Sequence, residues 1–424
     1  MHRYNGPAND WDQATALGVS PDGSMVFVTG KSTGSTGYPD YETVAYETST
    51  GHRLWVRRYM GPGDSSLDTA TALAVSPGGS MVFVTGGSAV DYATVAYDAF
   101  TGDRLWVRRH SGPGYYDVAT ALGVSPDGSM VFVTGESSGE YETIAYDAST
   151  GHRLWASRYG SPGYNEDVAT ALAVSPDGST VFVTGCSSQS DGGVFDYATV
   201  AYEASTGHRL WVRRYNGPAN GYDIPVALGV SPNGSMVFVT GTSDAPWNTE
   251  HYATIAYDAS TGDRLWLKRY KGPADSYDEA AALGVSPDGS SVFVTGVSGS
   301  IFAPDYATVA YDASTGHRLW VRRYNGPAND YDEATALGVS PDGYTVFVTG
   351  FSTVRRADGD YATVAYDAAT GARLWLRRYD GPGNGYDAAT ALGVSPDGSR
   401  VFVTGNSFGS GSGSDYATVA YSPT

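Results

Sequence analysis

Hydrophobic and polar positions alternate over short segments, and the same order of segments recurs eight times at intervals of about fifty residues. In one copy the segments begin at Tyr331, Thr345, Asp360 and Thr370, and they read Tyr-Asp-Glu-Ala-Thr-Ala-Leu-Gly-Val, Thr-Val-Phe-Val-Thr-Gly, Asp-Tyr-Ala-Thr-Val-Ala-Tyr and Thr-Gly-Ala-Arg-Leu-Trp. β-Branched and aromatic residues dominate them, and Ser-Pro-Asp-Gly or Thr-Gly turns separate them. Each unit therefore predicts four short antiparallel strands, and no segment has helical periodicity.

Self-similarity at a fixed period indicates a repeat architecture. Eight four-stranded units predict an all-β fold, an eight-bladed β-propeller of antiparallel blades that spans residues 1–424 as a single domain. We expect the first strand of each unit to lie innermost and the fourth outermost. The loops between second and third strands, and those between units, then share one face, which we name the upper face; the tight turns lie on the lower face.

The two ends of the chain are complementary parts of one unit. The chain stops at Thr424, just after a third strand, and Met1 to Tyr4 align with the end of a fourth strand. We therefore expect the N-terminal strand to complete the last blade and remove a free sheet edge. The Gly-x-Arg-Leu-Trp stretch that begins the other fourth strands is missing from this blade, so its outer strand should be short. No signal peptide is expected before the first unit, because Tyr4 already belongs to it.

Composition narrows the classes of partner. Asp and Glu number 45 against 26 Lys and Arg, which gives a formal charge of −19 and a pI near 4.6. Such a surface disfavours nucleic acid and anionic membranes and favours cations or basic partners. No apolar run approaches the roughly 18 residues of a membrane helix. Cys186 is the only cysteine, so neither an intramolecular disulfide nor a cysteine-based metal cluster can form. The oligomeric state stays open.

The segment Ala-Tyr-Asp-Ala-Ser-Thr-Gly-His-Arg-Leu-Trp, from Ala310 to Trp320, resembles the tryptophan-docking motif of quinoprotein-type, pyrroloquinoline-quinone-like propeller repeats. The resemblance implies that each tryptophan stacks between blades against the glycine of a neighbouring motif. The motif recurs with Trp55, Trp106, Trp155, Trp211, Trp266, Trp320 and Trp375.

The resemblance also bears on cofactors. Quinoprotein dehydrogenases of this family hold pyrroloquinoline quinone beneath a vicinal disulfide, with Ca²⁺ and a catalytic Asp. One cysteine cannot form that disulfide, and the long insertions that build the pocket are absent. The chain is more similar to non-catalytic eight-bladed members, which act as binding scaffolds in bacterial envelopes or outside the cell. This implies an extracellular or envelope location and no quinone, while Ca²⁺ stays possible.

One carboxylate recurs in all eight units, immediately before the first strand. It could cap the inter-unit loop by accepting backbone N–H bonds, or it could form a ring of cation ligands at the pore mouth. Repulsion between like charges in such a ring requires counter-ions or burial. An Arg also ends every fourth strand, but the two strands lie about 14 Å apart, which prevents direct pairing within a blade. The candidate metal ligands are Asp12, Asp68, Asp117, Asp167, Asp223, Asp278, Asp332 and Asp387.

An aromatic residue precedes this Asp in six units, and further aromatic residues lie in the long loops between second and third strands. Aromatic faces beside carboxylates suit sugars or cationic ligands, and loops on a rigid scaffold often carry binding. Packing against neighbouring loops and neutral variation are the structural alternatives. The candidate ligand-binding residues are Trp11, Tyr116, Tyr222, Trp247, Tyr277, Phe302, Tyr331 and Tyr386.

No constellation of catalytic residues stands out. The sequence contains no Gly-x-Ser-x-Gly elbow, His-Glu-x-x-His motif or phosphate loop. We interpret His110 and His251 as surface substitutions and Cys186 as an inert thiol that follows a second strand. The sequence therefore favours a non-enzymatic scaffold that presents one face to a protein, glycan or cation. The alternatives are an enzyme with a polar, glycan-active or quinone-assisted site at the pore mouth, and a structural module of a larger surface protein.

Overall fold

The computed structural model describes residues 1–34, 37–62, 67–113, 116–161, 166–188, 194–245, 249–273, 277–355 and 358–423. Over these residues the chain forms eight four-stranded antiparallel sheets. The prediction of an all-β, eight-bladed propeller is confirmed. No helix in these ranges is both long and apolar enough to cross a membrane.

The strands follow one another with short connections. In chain order they are β1 (His2–Tyr4), β2 (Asp12–Val19), β3 (Met25–Thr33), β4 (Pro39–Glu47), β5 (Arg53–Tyr59), β6 (Asp68–Val75), β7 (Met81–Ser88), β8 (Asp91–Asp98), β9 (Arg104–His110), β10 (Asp117–Val124), β11 (Met130–Ser137), β12 (Glu140–Asp147), β13 (Arg153–Tyr159), β14 (Asp167–Val174), β15 (Thr180–Ser188), β16 (Phe195–Glu203), β17 (Arg209–Tyr215), β18 (Asp223–Val230), β19 (Met236–Ala245), β20 (Thr249–Asp258), β21 (Arg264–Tyr270), β22 (Tyr277–Val285), β23 (Ser291–Ser300), β24 (Ala303–Asp312), β25 (Arg318–Tyr324), β26 (Asp332–Val339), β27 (Thr345–Arg355), β28 (Asp358–Asp367), β29 (Arg373–Tyr379), β30 (Ala388–Val394), β31 (Val401–Phe408) and β32 (Ser414–Tyr421).

Blades 1 to 7 each consist of four consecutive strands, starting with β2 to β5, and the first strand of each unit lies next to the channel. Blade 8 has the order β1-β32-β31-β30, so the N-terminal strand closes the ring as predicted. His2 pairs with Thr418 and Tyr4 with Tyr416. Closure therefore rests on a three-residue outer strand, in agreement with the missing part of that unit.

A β-bulge in each innermost strand directs a side chain to the next blade. In β2 the register shifts between Ala14 and Ala16, and the extra residue, Thr15, donates its hydroxyl to Ala70 O of β6 at 2.8 Å. Val226 and Ala281 replace this residue in blades 5 and 6. The same hydroxyl bond is made by Thr15, Thr71, Thr120, Thr170, Thr335 and Thr390.

Buried aromatic residues join the blades at greater radius. The hydroxyl of Tyr41 donates to Ala93 O of the following blade at 3.1 Å, and its equivalents repeat this bond around the ring. These donors are Tyr41, Tyr92, Tyr141, Tyr197, Tyr252, Tyr306, Tyr361 and Tyr416. Because a buried hydroxyl is costly unless bonded, this ring stabilises one relative placement of the blades.

The tryptophans lie between blades near the lower face. Trp55 Nε1 donates to Ala99 O at 2.9 Å, and its indole covers Gly102 of the next blade. Gly102 has φ +70°, and a Cβ there would lie 2.6 Å from the indole, so only glycine fits. Between blades 8 and 1 no tryptophan is available, and the imidazole of His2 lies against Gly51 instead.

Candidate functional site

The recurrent carboxylates cap the inter-unit loops. Asp12 is fully buried, and its Oδ2 accepts a bond from Gly6 N at 2.5 Å. The equivalent amide bond is made to Asp12, Asp68, Asp117, Asp167, Asp223, Asp278, Asp332 and Asp387, at 2.5 to 2.8 Å. Burial raises the pKa of Asp12 and Asp387, while these amides and a neighbouring serine hydroxyl oppose that rise. Cation binding by the eight carboxylates stays a prediction.

The recurrent Arg and Asp, too far apart for a direct bond, are connected through a serine. In blade 1, Arg58 Nη2 donates to Ser32 Oγ at 2.9 Å, and Ser32 in turn bonds to Asp12. Arg58 also forms an ion pair with Asp40 on the third strand at 2.7 Å. Since the second strand lies between the first and the outer strands, its serine bridges the distance that excluded direct pairing.

One group of carboxylates among the described residues has a spacing that could hold a cation. Oxygens of Asp360, Asp380 and Asp387 lie within 4.8 Å of one another. Asp387, one of the predicted metal candidates, already accepts bonds from Gly381 N and Phe408 N. Asp360 forms an ion pair with Arg378 at 3.1 Å. These interactions account for two of the three carboxylates without an ion.

The position after the recurrent Asp varies although the strand around it barely changes. It is half-buried or exposed in seven blades, at the upper end of the innermost strand. Its residues are Gln13, Thr69, Val118, Val168, Ile224, Glu279, Glu333 and Ala388. The cross-strand partners also vary and are Lys31, Gly87, Glu136, Cys186, Thr242, Val297, Phe351 and Asn406. We name these sixteen positions the upper mouth. They were not among the predicted site residues, although their variation between otherwise similar units can be seen in the sequence.

The upper mouth has two chemically different halves. Blades 3 to 5 contribute the apolar side chains of Val118, Val168 and Ile224, of which Ile224 is 37% exposed, and one carboxylate, Glu136, opposite Val118. Blades 6 and 7 contribute the carboxylates of Glu279 and Glu333. A ligand that contacts both halves would therefore need apolar groups on one side and donors or positive charge on the other.

Phenols and carboxylates form one hydrogen-bonded network on the acidic half. Tyr277 donates to Glu279 at 3.1 Å and Tyr331 to Glu333 at 3.2 Å, and the two phenol oxygens lie within hydrogen-bonding reach of each other. Burial and the Glu279 carboxylate raise the pKa of Tyr277 to about 12. Glu250 bonds to Glu279, and burial together with that negative neighbour raises the pKa of Glu250 to about 7. The raised pKa of Glu250 reflects the electrostatic cost of holding these carboxylates side by side.

An aromatic cleft lies beside this network, between blades 7 and 8. Phe351 stacks on Tyr386 with ring centroids 4.7 Å apart and lies 6.4 Å from Tyr331. The cleft has a volume of about 470 Å³, and Asp330, Glu333 and Asp358 supply its carboxylates. We name these six residues the blade 7–8 cleft. Phe351 was missed because its neighbours in sequence suggest only an ordinary second strand.

The remaining candidate aromatics do not form one cluster with the cleft. Trp11, Tyr116 and Tyr222 are 55%, 58% and 51% exposed, and Tyr222 lies 6.0 Å from Phe195. Phe302 is 85% exposed at the turn between β23 and β24. Trp247 lies outside the described residues. Of the predicted set, the structure brings together Tyr277, Tyr331 and Tyr386.

Two other side chains differ from their sequence interpretation. His110 is not a surface substitution: its side chain is 13% exposed, and its Nε2 lies 3.0 Å from Glu142 Oε1 of the next blade. Cys186 lies within β15 rather than after it. Burial raises the pKa of the Cys186 thiol to about 11, which keeps it protonated and unreactive at neutral pH.

The absence of pyrroloquinoline quinone stays a prediction, and the charge of the upper mouth is in line with it. That cofactor carries three carboxylates, whereas the sixteen mouth positions hold Glu136, Glu279 and Glu333 against the single cation of Lys31. Like charges repel, so this donor set is opposite to what a polyanionic cofactor needs.

Comparison with known proteins assigns the repeat to a family. The family model described as outer membrane protein assembly factor BamB matches residues 8–266 and 94–404. The chain belongs to this family. A search of curated proteins found no match for this BamB-family chain.

Solved structures share the fold of this BamB-family chain. BamB from Moraxella catarrhalis is 16% identical with a TM-score of 0.54, over 99% of this chain and 98% of that one. Sqt1 from Chaetomium thermophilum, bound to the N-terminus of the ribosomal protein L10, is 13% identical with a TM-score of 0.66, over 99% and 98%. The Dos1 propeller is 13% identical with a TM-score of 0.65, over 98% and 95%. At these identities the likeness shows the fold alone.

Proposed function

We propose that this BamB-family propeller is a non-enzymatic binding scaffold whose upper face receives a protein partner. The observation that carries the proposal is the concentration of repeat-breaking side chains at the upper mouth, where both positions of every blade vary. A symmetrical ring offers the same surface eight times, so selective binding of one partner needs positions that differ between blades. The upper mouth supplies sixteen of them on a rigid frame.

The lower face supports the proposal by contrast. Its Ser-Pro-x-Gly turns repeat one geometry, in which Gly23 N donates to Ser20 O at 2.8 Å, and all eight units repeat this bond within 0.1 Å. Such uniform turns give little basis for selective recognition. Phe100 and Tyr344, which are 62% and 74% exposed, are the large aromatic exceptions there among the described residues.

Two structurally similar proteins, Sqt1 and BamB, support a protein partner for this fold. Sqt1 is described as bound to the N-terminus of a ribosomal protein, and BamB is described as an assembly factor. The family description also supports a location in the cell envelope or outside the cell, which we propose for this chain. The acidic surface, at −19, favours a partner with basic segments.

The experiment compares two matched four-residue variants on peptide and glycan arrays. The upper-face variant combines Trp11→Ala, Tyr222→Ala, Phe302→Ala and Tyr386→Ala, all at side chains more than half exposed. The lower-face variant combines Phe100→Ala, His208→Ala, His317→Ala and Tyr344→Ala, all at exposed positions. Circular dichroism and melting temperature check that both variants fold as the parent does.

We expect the parent protein and the lower-face variant to retain the same peptides, and the upper-face variant to lose them. Loss in the lower-face variant alone, or equal loss in both, would show that the face is wrong. Retention of glycans but no peptides would replace the protein partner with a carbohydrate. If the parent retains nothing on either array, the structural-module alternative is favoured.

A further inference from the structure

We propose that the acidic half of the upper mouth and the blade 7–8 cleft bind a lysine or arginine side chain of an extended protein segment, whose apolar side chains contact Val118, Val168 and Ile224. This proposal rests on the proposed function, because it names the chemistry of the partner at that face. The proposal rests on a concave cleft with aromatic walls and three carboxylates, and on an apolar surface of the same mouth in blades 3 to 5.

Among the residues that the structure describes, no basic side chain forms an ion pair with Asp330, Glu333 or Asp358 of the cleft. Asp358 Oδ1 is buried and has no hydrogen-bond partner within the described ranges. Arg355 pairs with Asp358 in the strand register but is exposed, and no ion pair joins the two side chains. An unpaired buried carboxylate oxygen is costly, so an incoming ammonium or guanidinium group would gain a charge-assisted bond there.

The aromatic walls suit the same group. The stacked rings of Phe351 and Tyr386 line the same cleft as Asp358 and Glu333, and the ring of Tyr331 lies 6.4 Å from that of Phe351. A cation within about 6 Å of a ring centroid is attracted by the electron-rich face of the ring, and more strongly when water is excluded. A cleft of about 470 Å³ accommodates a long basic side chain together with part of its backbone.

The phenol–carboxylate network extends the negative potential beyond the cleft. Glu333 belongs to both the cleft and the network, and through the neighbouring phenols of Tyr331 and Tyr277 the network reaches Glu279 in blade 6. A bound cation would relieve the repulsion between these neighbouring carboxylates. A segment with more than one basic residue can therefore contact both parts.

The apolar half distinguishes a protein segment from a free polyamine. Val118, Val168 and Ile224 lie at equivalent positions in three consecutive blades, directly followed by the Glu279 and Glu333 blades. A hydrophilic polyamine would leave the methyl groups of these three residues exposed to water. An extended chain with alternating basic and apolar residues would bury them. Charge complementarity and the apolar surface thus favour the same occupant.

The test uses fluorescence anisotropy with three labelled peptides and one small cation. In the first peptide lysine alternates with leucine, in the second lysine alternates with serine, and in the third glutamate alternates with leucine; spermidine is the competitor. We expect the lysine–leucine peptide to bind best, the lysine–serine peptide more weakly, and the glutamate peptide not at all. Binding should weaken with salt, because part of it is electrostatic.

The cleft variant combines Glu333→Gln with Asp358→Asn. We expect its affinity for the lysine–leucine peptide to be at least tenfold lower than that of the parent protein. The charge-matched control is Asp103→Asn with Asp263→Asn, whose side chains are 77% exposed on the lower face. Arg355→Ala, on the same face, should leave affinity unchanged or slightly higher. Tyr386→Ala provides a second cleft variant at an exposed side chain, in case the double variant folds poorly.

Equal weakening by the cleft and control variants would show a general attraction to an acidic protein and overturn the proposal. If spermidine displaces the labelled peptide as effectively as the unlabelled lysine–leucine peptide does, the ligand of the cleft is a small polyamine and not a protein segment. Absence of measurable binding by the lysine–leucine peptide would also overturn it. If array peptides are lost in the four-residue upper-face variant but kept by Glu333→Gln with Asp358→Asn, the scaffold function stands and the cleft assignment fails.

Discussion

Glu42 and Glu142 occupy the same position of the repeat, in blades 1 and 3, but their carboxyl groups behave in opposite ways. Both are nearly fully buried on a third strand, and each forms an ion pair with the recurrent Arg of its blade. Burial raises the pKa of Glu42 to about 7. Burial also acts to raise the pKa of Glu142, but bonds to His110 and Arg158 outweigh it and lower that pKa to about 2.

The difference lies in the preceding blade. Blade 8 places Tyr4 beside Glu42, whereas blade 2 places His110 within 3.0 Å of Glu142. Arg58 also pairs with Asp40 at 2.7 Å, and Arg158 likewise pairs with Glu140 at 3.3 Å, so the distinguishing partner of Glu142 is His110. A buried acid introduced into a repeat is therefore stabilised or destabilised by its neighbour across the blade interface, not by its own strand.

The largest expected effect is a difference in unfolding free energy, at neutral pH, between the variants that remove the two carboxylates. Glu142→Gln removes the buried anion that Arg158 and His110 contact. It should therefore lower the free energy of unfolding by about 3–5 kcal/mol. Glu42→Gln mimics the protonated acid, so it should leave the free energy of unfolding unchanged or raise it at neutral pH. Urea unfolding followed by tryptophan fluorescence measures both, and equal losses would remove the distinction.

The pH dependence of Glu142 should appear on the acid side. Its folded pKa, about 2, is below the unfolded value near 4.5, so its contribution is complete above pH 4.5 and is lost as pH falls towards 2. We expect the stability gap between the parent and Glu142→Gln to narrow by roughly 3 kcal/mol across that window. Melting temperatures of both proteins between pH 2 and 6 measure it, and a constant gap would contradict the expectation.

The pH dependence of Glu42 should have the opposite sign. Its folded pKa, about 7, is above the unfolded value near 4.5, so its contribution is complete below pH 4.5 and is lost as pH rises through 7. Relative to Glu42→Gln, the parent should lose roughly 2–3 kcal/mol between pH 4.5 and 8. A parent that gains stability against the variant over this range would show that Glu42 is ionised and well paired.

The smallest effect comes from exchanging the neighbours. His110→Tyr makes the blade 2–3 interface resemble the blade 8–1 interface, and it should raise the pKa of Glu142 and cost about 1 kcal/mol at pH 8. Tyr4→His should lower the pKa of Glu42. Carboxyl ¹³C NMR titration of both variants reads the two pKa values directly. If neither pKa moves, the difference between the glutamates comes from burial alone.

Strand signals and the period sufficed to predict the blades, the inner position of β2 and its equivalents, and the closure by β1. These depend on local propensity and on the repeat, both readable along the chain. The contact of Glu142 with His110 could not be read in this way, because it depends on the register between two blades. Each of the two residues does break the repeat in consecutive units, which was the available signal.

The site was less predictable than the fold for the same reason. Tyr331 and Tyr386 were identified from their position before the recurrent Asp, but Phe351, which lies between them, belongs to a different strand of blade 7. The serine bridge of Ser32 between Arg58 and Asp12 likewise requires knowledge of which strand lies between them. Sequence reasoning identified residue types, and three-dimensional register decided which of them meet.

The ring of threonine hydroxyl bonds around the channel has mechanical consequences. It is interrupted at two consecutive joints, because Val226 and Ala281 provide no hydroxyl between blades 5 and 6 and between blades 6 and 7. In a closed ring of coupled bodies, displacement concentrates at the joints with the lowest stiffness. The acidic half of the upper mouth borders those joints, and at the joint between blades 6 and 7 the contact of Tyr277 with Tyr331 connects the two blades where the threonine bond is missing.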